Sequence, residues 1–209
     1  MKMVKLAGLS VLGVALAAGG VGVMGGAGVR EVAPASSADP AFKVDAVHSS
    51  VVFRVKHMNA AYFYGRFNKV EGSFLLDAAN PSASSLTVTI PTDSIDTNNG
   101  GRDKHLKSQD FFSVAEHPTI TFTGRKFEKG AEENGEISYT VTGDLTLLGK
   151  TKEVTATVRQ TGQGPGRSGE VGGIEAKFTI KRSDFGMNFM VGKGLGDEVT
   201  VMAGLEGGR

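Results

Sequence analysis

The residues with the most capacity for chemistry lie in one stretch, Gly100 to Phe122, which reads GGRDKHLKSQDFFSVAEHPTITF. It holds two of the four histidines, His105 and His117, together with the carboxylates of Asp103 and Asp110. A histidine oriented by a carboxylate is a common general acid–base device, so Asp103 and His105 form a candidate catalytic pair. The same side chains can instead bond the backbone of an irregular corner, because a buried turn must satisfy its own amides. We favour this second interpretation and keep the acid–base pair as an alternative hypothesis.

The rest of the chain lacks the sequence signatures of common catalytic and metal sites. It contains no G-x-S-x-G nucleophile elbow and no H-E-x-x-H metal motif. The histidines, at positions 48, 57, 105 and 117, include no close pair that would suggest a metal site. The chain has no cysteine, which excludes disulfides and thiolate chemistry. We therefore predict no metal, no cofactor and no enzymatic activity.

The charge balance argues against a nucleic-acid partner. The 209 residues include 23 Lys and Arg against 22 Asp and Glu, for a formal net charge of +1. Binding to nucleic acid normally needs a clustered basic excess. No basic run longer than a pair occurs in the sequence.

Residues 1–38 carry the pattern of a secretory signal peptide followed by a linker. Positive charge in MKMVK precedes an apolar run from Leu6 to Ala18, and small-residue sites follow at Ala15-Leu16-Ala17 and Ala33-Pro34-Ala35. We therefore expect the protein to be exported, to a periplasm or to the extracellular space. Alternatively, the uncharged stretch from Leu6 to Val29 is long enough to remain as an anchor that tethers the protein to a membrane.

Residues 39–209 are expected to form one all-β domain. Apolar and polar side chains alternate in LTVTI, TITF, DLTLL, VTATV and IEAKFTIK, which indicates strands with one buried and one wet face. Glycine-rich turns separate about eight such segments, which favours an antiparallel arrangement with one short helical segment near Gly100. Periodicity does not distinguish a sandwich with a packed core from a closed barrel, whose interior can hold a small ligand.

A series of motifs runs through nearly all of residues 39–209: FKVDAVHSSVVFRVKH, GRF, EGSF, DSIDTNNGGRDKHLKSQDFFSVAEHPTITF, VTGDLTLLGKTKEV, IKRSDFGMN and GDEVTV. Together these motifs resemble the YceI-like family of exported bacterial proteins with a lipocalin-like fold. The long middle block and GDLTLLGKT are the most specific. The chain departs from the family in the insertions GQGPGRSGEVGG and FMVGKGLG and in its long glycine-rich leader.

The resemblance implies an eight-stranded antiparallel lipocalin-like β-barrel with a short helical segment. It also implies a binding protein that carries or sequesters a polyisoprenoid or similar amphiphilic lipid, such as an isoprenoid quinone or a prenyl phosphate. Two alternatives stay open: an enzyme acting on a lipid or small apolar substrate through Asp103 and His105, and a non-binding envelope stress protein whose barrel is filled by its own side chains. Oligomeric state is not predicted.

In such a barrel the inward-facing apolar side chains would line the ligand pocket. Arg102, Lys104 and His105 are the candidate contacts for a lipid head group at its mouth. The candidate lining residues are Phe53, Val55, Phe67, Phe74, Val88, Ile90, Leu106, Phe111, Phe112, Ile120, Phe122, Leu145, Leu147, Phe178 and Ile180.

Overall fold

The structure, a computed structural model, describes residues 40–209, so the expectations for residues 1–38 lie outside the described part of the chain. The described residues form an antiparallel β structure with one short α-helix, as the sequence predicts. Within residues 40–209, no helix has the length and apolar character needed to cross a membrane. The helix is α1 (Gly100–Leu106), and the strands are β1 (Phe42–Val44), β2 (Ser50–His57), β3 (Ala61–Phe67), β4 (Glu71–Leu75), β5 (Ser85–Pro91), β6 (Ile95–Asp96), β7 (Thr119–Glu133), β8 (Glu136–Leu147), β9 (Lys150–Gly166), β10 (Gly169–Lys181) and β11 (Leu195–Gly208).

All eleven strands belong to one sheet that closes on itself. The order around the ring is β1-β4-β5-β7-β8-β9-β10-β11, and the pairing of β1 with β11 completes it. The other three strands continue positions of this ring. β1 and β2 lie one after the other along the same edge of β11. β3 and β4 form the next line of the sheet, with β3 paired to β2 and β4 paired to β1. β5 and β6 form the third line, with β5 paired to β4 and β6 paired to β3. The eleven segments exceed the expected eight because short irregular stretches interrupt these three lines of the sheet.

One end of the barrel is closed by packed aromatic and aliphatic side chains. The rings of Phe42 and Phe74 stack with their centroids 5.4 Å apart, and both residues are buried. Glycines allow the strands to approach Phe42 closely: a Cβ at Gly172 or Gly207 would lie only 2.9 or 3.0 Å from atoms of that residue. A larger residue at either position would displace Phe42.

The opposite end carries α1 and the irregular segment that follows it, which cover only part of the opening. Asn99 caps the helix, because its side chain accepts a hydrogen bond from the backbone N–H of Arg102 at 2.9 Å. Further along, the hydroxyl of buried Thr92 donates to the carbonyl oxygen of His117 at 2.8 Å, and its N–H donates to that of Pro118 at 2.9 Å. These bonds hold the segment against the barrel and return the chain to β7.

Candidate ligand-binding cavity

The barrel contains an apolar cavity of about 510 Å³. Cavities of roughly 300–1,000 Å³ are typical of sites that hold small organic ligands. Its wall is formed by inward-facing side chains of the strands and by the segment around α1. Every predicted lining residue except Phe74 contributes to it: Phe53, Val55, Phe67, Val88, Ile90, Leu106, Phe111, Phe112, Ile120, Phe122, Leu145, Leu147, Phe178 and Ile180.

Three alanines explain why the barrel holds open space at all. Ala156, Ala176 and Ala203 lie on the neighbouring strands β9, β10 and β11, and all three line the cavity. Ala176 pairs directly with Ala203 in the register of β10 and β11. A methyl group fills much less space than the phenylalanine, leucine and valine side chains of the other strands. We call these three residues the alanine floor, since they leave room where larger side chains would meet.

The cavity opens toward the end that carries α1. Along β2 the inward-facing residues Val51, Phe53 and Val55 are buried or half-buried, whereas His57, the last of them, is exposed. Along β10 they change in the same direction, from buried Ile174 to half-buried Ile180. Exposure thus rises from the Phe42 end toward α1, which places the mouth there.

Phe74 and Lys104 lie in places that differ from the sequence-based expectation. Phe74 does face inward, but its ring stacks on Phe42 at the closed end, beyond the cavity. Lys104 lines a shallow surface groove on the far side of α1 instead of the mouth. On a helix, residues three and four apart share a face, so Arg102, His105 and Leu106 face the cavity and Lys104 does not.

Arg102 and Asp103 are both bonded to Thr97. The N–H and the hydroxyl of Thr97 donate to Oδ1 of Asp103, the first at 2.9 Å. Arg102 donates from Nε to the Thr97 hydroxyl at 2.7 Å and from Nη2 to its carbonyl oxygen at 2.6 Å. The guanidinium also lies 4.3 Å from the ring centre of Phe63. These contacts fix the start of α1 against the sheet, as the structural interpretation of these residues predicts.

His105 makes its hydrogen bond with a different carboxylate from the one expected for catalysis. Its Nε2 lies 2.8 Å from Oδ2 of Asp110, and the pair is half exposed at the mouth. Asp103 and His105 are two residues apart on α1, a spacing that directs their side chains to different sides of the helix. The ring of His105 also packs edge-on against Phe111 and Phe189 at 5.1 and 5.0 Å. The predicted Asp103–His105 pair is therefore not brought together.

Arg182 is a buried cation of the cavity wall that the sequence reasoning missed. It is 2% exposed and donates to the carbonyl oxygens of Gly196 at 2.8 Å, Met187 at 2.9 Å and Leu195 at 3.3 Å. Burial lowers the pKa of its guanidinium, while the nearby carboxylate of Asp197 has the opposite effect. Arg182 therefore ties down the loop between β10 and β11, part of which lines the mouth.

Other wall residues could have been found from alternation along the strands. Val51 and His57 share the parity of Phe53 and Val55 on β2, and both line the cavity. The further wall residues absent from the expectation are Phe63, Leu86, Ala156, Ala176, Met187, Phe189, Met190, Leu195, Val199, Val201, Ala203 and Leu205. Of these, Met187, Phe189 and Met190 belong to an irregular loop, where the sequence offers no period to follow.

One group in residues 40–209 has a spacing that could hold a metal ion. Potential ligand atoms of Asp45, His48 and Glu206 lie within 4.8 Å of one another. The hydrogen bond to Asp45, at 2.8 Å, raises the pKa of His48, and the negative charge of Glu206 adds to the effect. All three side chains face water at the end of the barrel away from the mouth. The geometry is accounted for by a turn between β1 and β2 locked by its own ion pair.

Comparison with known proteins gives a consistent set of matches. A family model described as the YceI-like domain matches residues 42–206. A UPF0312 protein of Pseudomonas aeruginosa strain LESB58 is 41% identical over 176 residues, covering 84% of this chain and 89% of the relative. Protein YceI of Escherichia coli O157:H7 is 38% identical over 174 residues, covering 83% and 88%.

Solved structures share the fold. BcnA of Burkholderia cenocepacia matches with a TM-score of 0.67 and 27% identity, covering 78% of this chain and 98% of that one. A YCEI protein of Campylobacter jejuni matches with a TM-score of 0.59 and 31% identity, covering 69% and 84%. A polyisoprenoid binding domain from Saccharophagus degradans, implicated in plant cell wall breakdown, matches with a TM-score of 0.61 over 80% of this chain and 98% of that one. At 15% identity the last match shows the fold alone.

Proposed function

We propose a lipid-binding function for this chain, which belongs to the YceI-like domain family. In this proposal the barrel holds the apolar chain of an amphiphilic lipid of the polyisoprenoid class and carries or sequesters it. The observation that carries the proposal is the apolar cavity of about 510 Å³, open at one end of the barrel. The description of the Saccharophagus degradans domain, which has the same fold, suggests the ligand class.

The wall chemistry supports binding of a long apolar chain. Burial of each CH₂ group contributes about 0.8 kcal/mol, while ordering a flexible chain costs about 0.5–1.5 kcal/mol per immobilised group. A few isoprene units therefore offset the loss of chain freedom without specific hydrogen bonds. A wall of phenylalanine, valine, leucine and isoleucine selects for girth and length more than for polar groups.

The polar groups at the mouth would contact the head group. His105 and His57 line the cavity at its exposed end and are the side chains we propose for this role. Arg102 also reaches the cavity, but its guanidinium is already bonded to Thr97 and packed on Phe63. Lys104, on the far side of α1, is not retained in the proposal.

The structure offers less support for the two alternatives. A catalytic role for Asp103 would require its carboxylate to leave Thr97, to which it is bonded. A barrel filled entirely by its own side chains does not fit the open volume above the alanine floor. The substitution His105→Ala separates binding from catalysis. If the protein only binds a ligand, the variant should keep most of its affinity. If the protein is an enzyme, the variant should lose turnover while it still binds its substrate.

The direct test is to identify what the protein carries. Protein isolated gently from its own cells, without detergent, should release a polyisoprenoid lipid on organic extraction, detected by mass spectrometry in an amount comparable with the protein. The variant Ala176→Phe, in which the added ring fills the alanine floor, is prepared in the same way as the control and should carry less lipid. An extract without lipid, or equal lipid in both preparations, would contradict the proposal.

We also propose that residues 1–38 direct export, as a cleaved signal peptide or as a retained anchor. Their charged start and apolar run support this proposal. Cell fractionation followed by N-terminal sequencing would test it. A full-length, soluble chain in the cytoplasm would overturn it.

A further inference from the structure

Most of the exposed large apolar and aromatic side chains in residues 40–209 gather at the open end of the barrel. Two of the seven, Val47 and Val171, lie toward the closed end. Tyr64 lies midway along β3, where it pairs with Arg54. The other four are in the turn after β2, near the start of β3 and in the loop between β10 and β11: Met58, Tyr62, Phe189 and Met190. Scattered exposed apolar residues are ordinary, but a cluster around a cavity mouth marks a surface with a partner.

Three of these residues form a continuous edge, which we call the apolar rim: Met58, Phe189 and Met190. The N–H of Met58 donates to the carbonyl oxygen of Gly194 at 2.5 Å. A Cβ at Gly194 would lie 2.6 Å from Sδ of Met58 and 3.9 Å from Cε of Met190, so the two methionines converge there. Phe189 packs on His105 and Phe111 at 5.0 and 5.2 Å, which extends the apolar rim to the α1 side of the mouth.

Cationic side chains flank the apolar rim. Arg54 and Lys56 lie over the ring of Tyr62, at 4.3 and 4.9 Å from its centre, and Lys193 is exposed in the loop beside Met190. Within the described residues, none of these three cations has a carboxylate oxygen within 4.0 Å.

Few carboxylates at this end of the barrel are available to balance the charge of these cations. Asp110 is bonded to His105, and Asp197 accepts hydrogen bonds from both the N–H and the hydroxyl of Ser183. Exposed Asp184 and Glu198, together with Glu116, which accepts hydrogen bonds from Gln109 and Ser113, are outnumbered by the cations of the same end. These cations are the half-buried Arg54 and Lys56 and the exposed Lys150, Lys181 and Lys193. The mouth therefore presents apolar side chains within a positively charged border.

We propose that this end of the barrel docks on the surface of a bilayer that contains anionic lipids. Met58, Phe189 and Met190 would enter the boundary between head groups and acyl chains, and the cations would face the anionic head groups. Tyr62, near the start of β3, has the amphipathic ring that favours this boundary. The inference rests on the proposed lipid-binding function and adds a route: the ligand passes between bilayer and cavity without crossing water.

Flotation with vesicles tests the docking on the protein as it is isolated from cells. Vesicles are made of phosphatidylcholine alone or of phosphatidylcholine with phosphatidylglycerol. We expect binding to the anionic vesicles, weaker binding to the neutral ones, and a decline as salt rises. Each cation near an anionic surface strengthens binding roughly fivefold. Reversal of two cations should therefore weaken binding by more than about 25-fold.

The variant for this test leaves the cavity wall intact. Met58→Ser, Lys56→Glu and Lys193→Glu change the rim and its border, and none of the three residues lines the cavity. The matched control makes the same types of change away from the mouth, with Val47→Ser, Lys129→Glu and Lys177→Glu. The rim variant should lose vesicle binding, and the control should keep it. Equal binding by both variants would overturn the inference.

Two further readouts separate this inference from the proposed function. Wild-type protein that carries lipid but floats with no vesicle would overturn docking and leave the proposed function standing. A wild-type dimer that the rim variant converts to monomers, with no vesicle binding, would identify a second copy as the partner and also overturn docking. Vesicle binding by protein that carries no lipid would support docking while contradicting the proposed function.

Discussion

The substitution Ala176→Phe tests whether ligand reaches the alanine floor. Ala176 is buried, lines the cavity and pairs with Ala203 on the adjacent strand. A phenyl ring there takes the space of roughly six carbons of a lipid chain, each worth about 0.8 kcal/mol when buried. The free energy of binding should therefore weaken by up to ~5 kcal/mol, which corresponds to about three orders of magnitude in the dissociation constant.

The assay is a fluorescence titration with an NBD-labelled geranylgeranyl probe after bound lipid has been removed. Lys177→Phe is the matched control, because it places the same side chain one residue along β10 on the outer, exposed face. The melting temperature of Ala176→Phe without ligand should equal or exceed that of the wild type, since the ring buries apolar surface in open space. A folded Ala176→Phe protein that binds the probe within about tenfold of the control would refute the assignment of the cavity floor as the ligand site.

Three further predictions follow from individual buried or paired groups. Tyr139 is 1% exposed, and within residues 40–209 its hydroxyl has no hydrogen-bond partner. Tyr139→Phe should therefore leave the free energy of unfolding unchanged or raise it by up to ~1 kcal/mol in urea titrations; a loss of similar size would contradict this. Arg182→Met leaves three carbonyl oxygens, one buried and two part-buried, without their donor. The change should cost about 3 kcal/mol of stability and speed proteolysis of the loop between β10 and β11; a cost below about 1 kcal/mol would count against that role. The hydrogen bond that His48 donates to Asp45 raises the pKa of His48. The stabilising effect of this bond should therefore be full below the usual histidine pKa of about 6.5 and disappear as pH rises through the raised value. Asp45→Asn should lower the pKa of His48 in an NMR titration, and an unchanged value would disprove the assigned cause.

Alternation along the strands predicted which side chains face inward, but not how far along the barrel they lie. Phe74 illustrates the limit. Its parity on β4 is correct, yet it packs on Phe42 at the closed end, because parity distinguishes the two faces of a sheet and contains no information on height. Height depends on the stagger between neighbouring strands, which is set by pairings between residues far apart in the chain.

The helix and the loop show two other limits. The position of Lys104 could have been predicted, since a period of 3.6 residues separates it from the face shared by Arg102, His105 and Leu106. The loop that carries Phe189 and Met190 has no regular period. Its path depends on Arg182, which bonds the carbonyl oxygen of Met187 in the loop and those of Leu195 and Gly196 at the start of β11. A buried arginine within an apolar wall has no distinctive sequence pattern, so this part of the site needed the structure.

The seam of the barrel has a consequence for the order in which the chain can fold. Lys43 pairs with Gly208 and Val44 with Gly207, so the first and last described strands must meet before the ring is complete. Contacts between residues this far apart form slowly, because the intervening loop must first lose much of its freedom. The hairpins from β7 to β11 can form from neighbouring segments while synthesis continues. The enclosed volume exists only after β11 has been made, so the proposed capture of a ligand must follow synthesis of that strand.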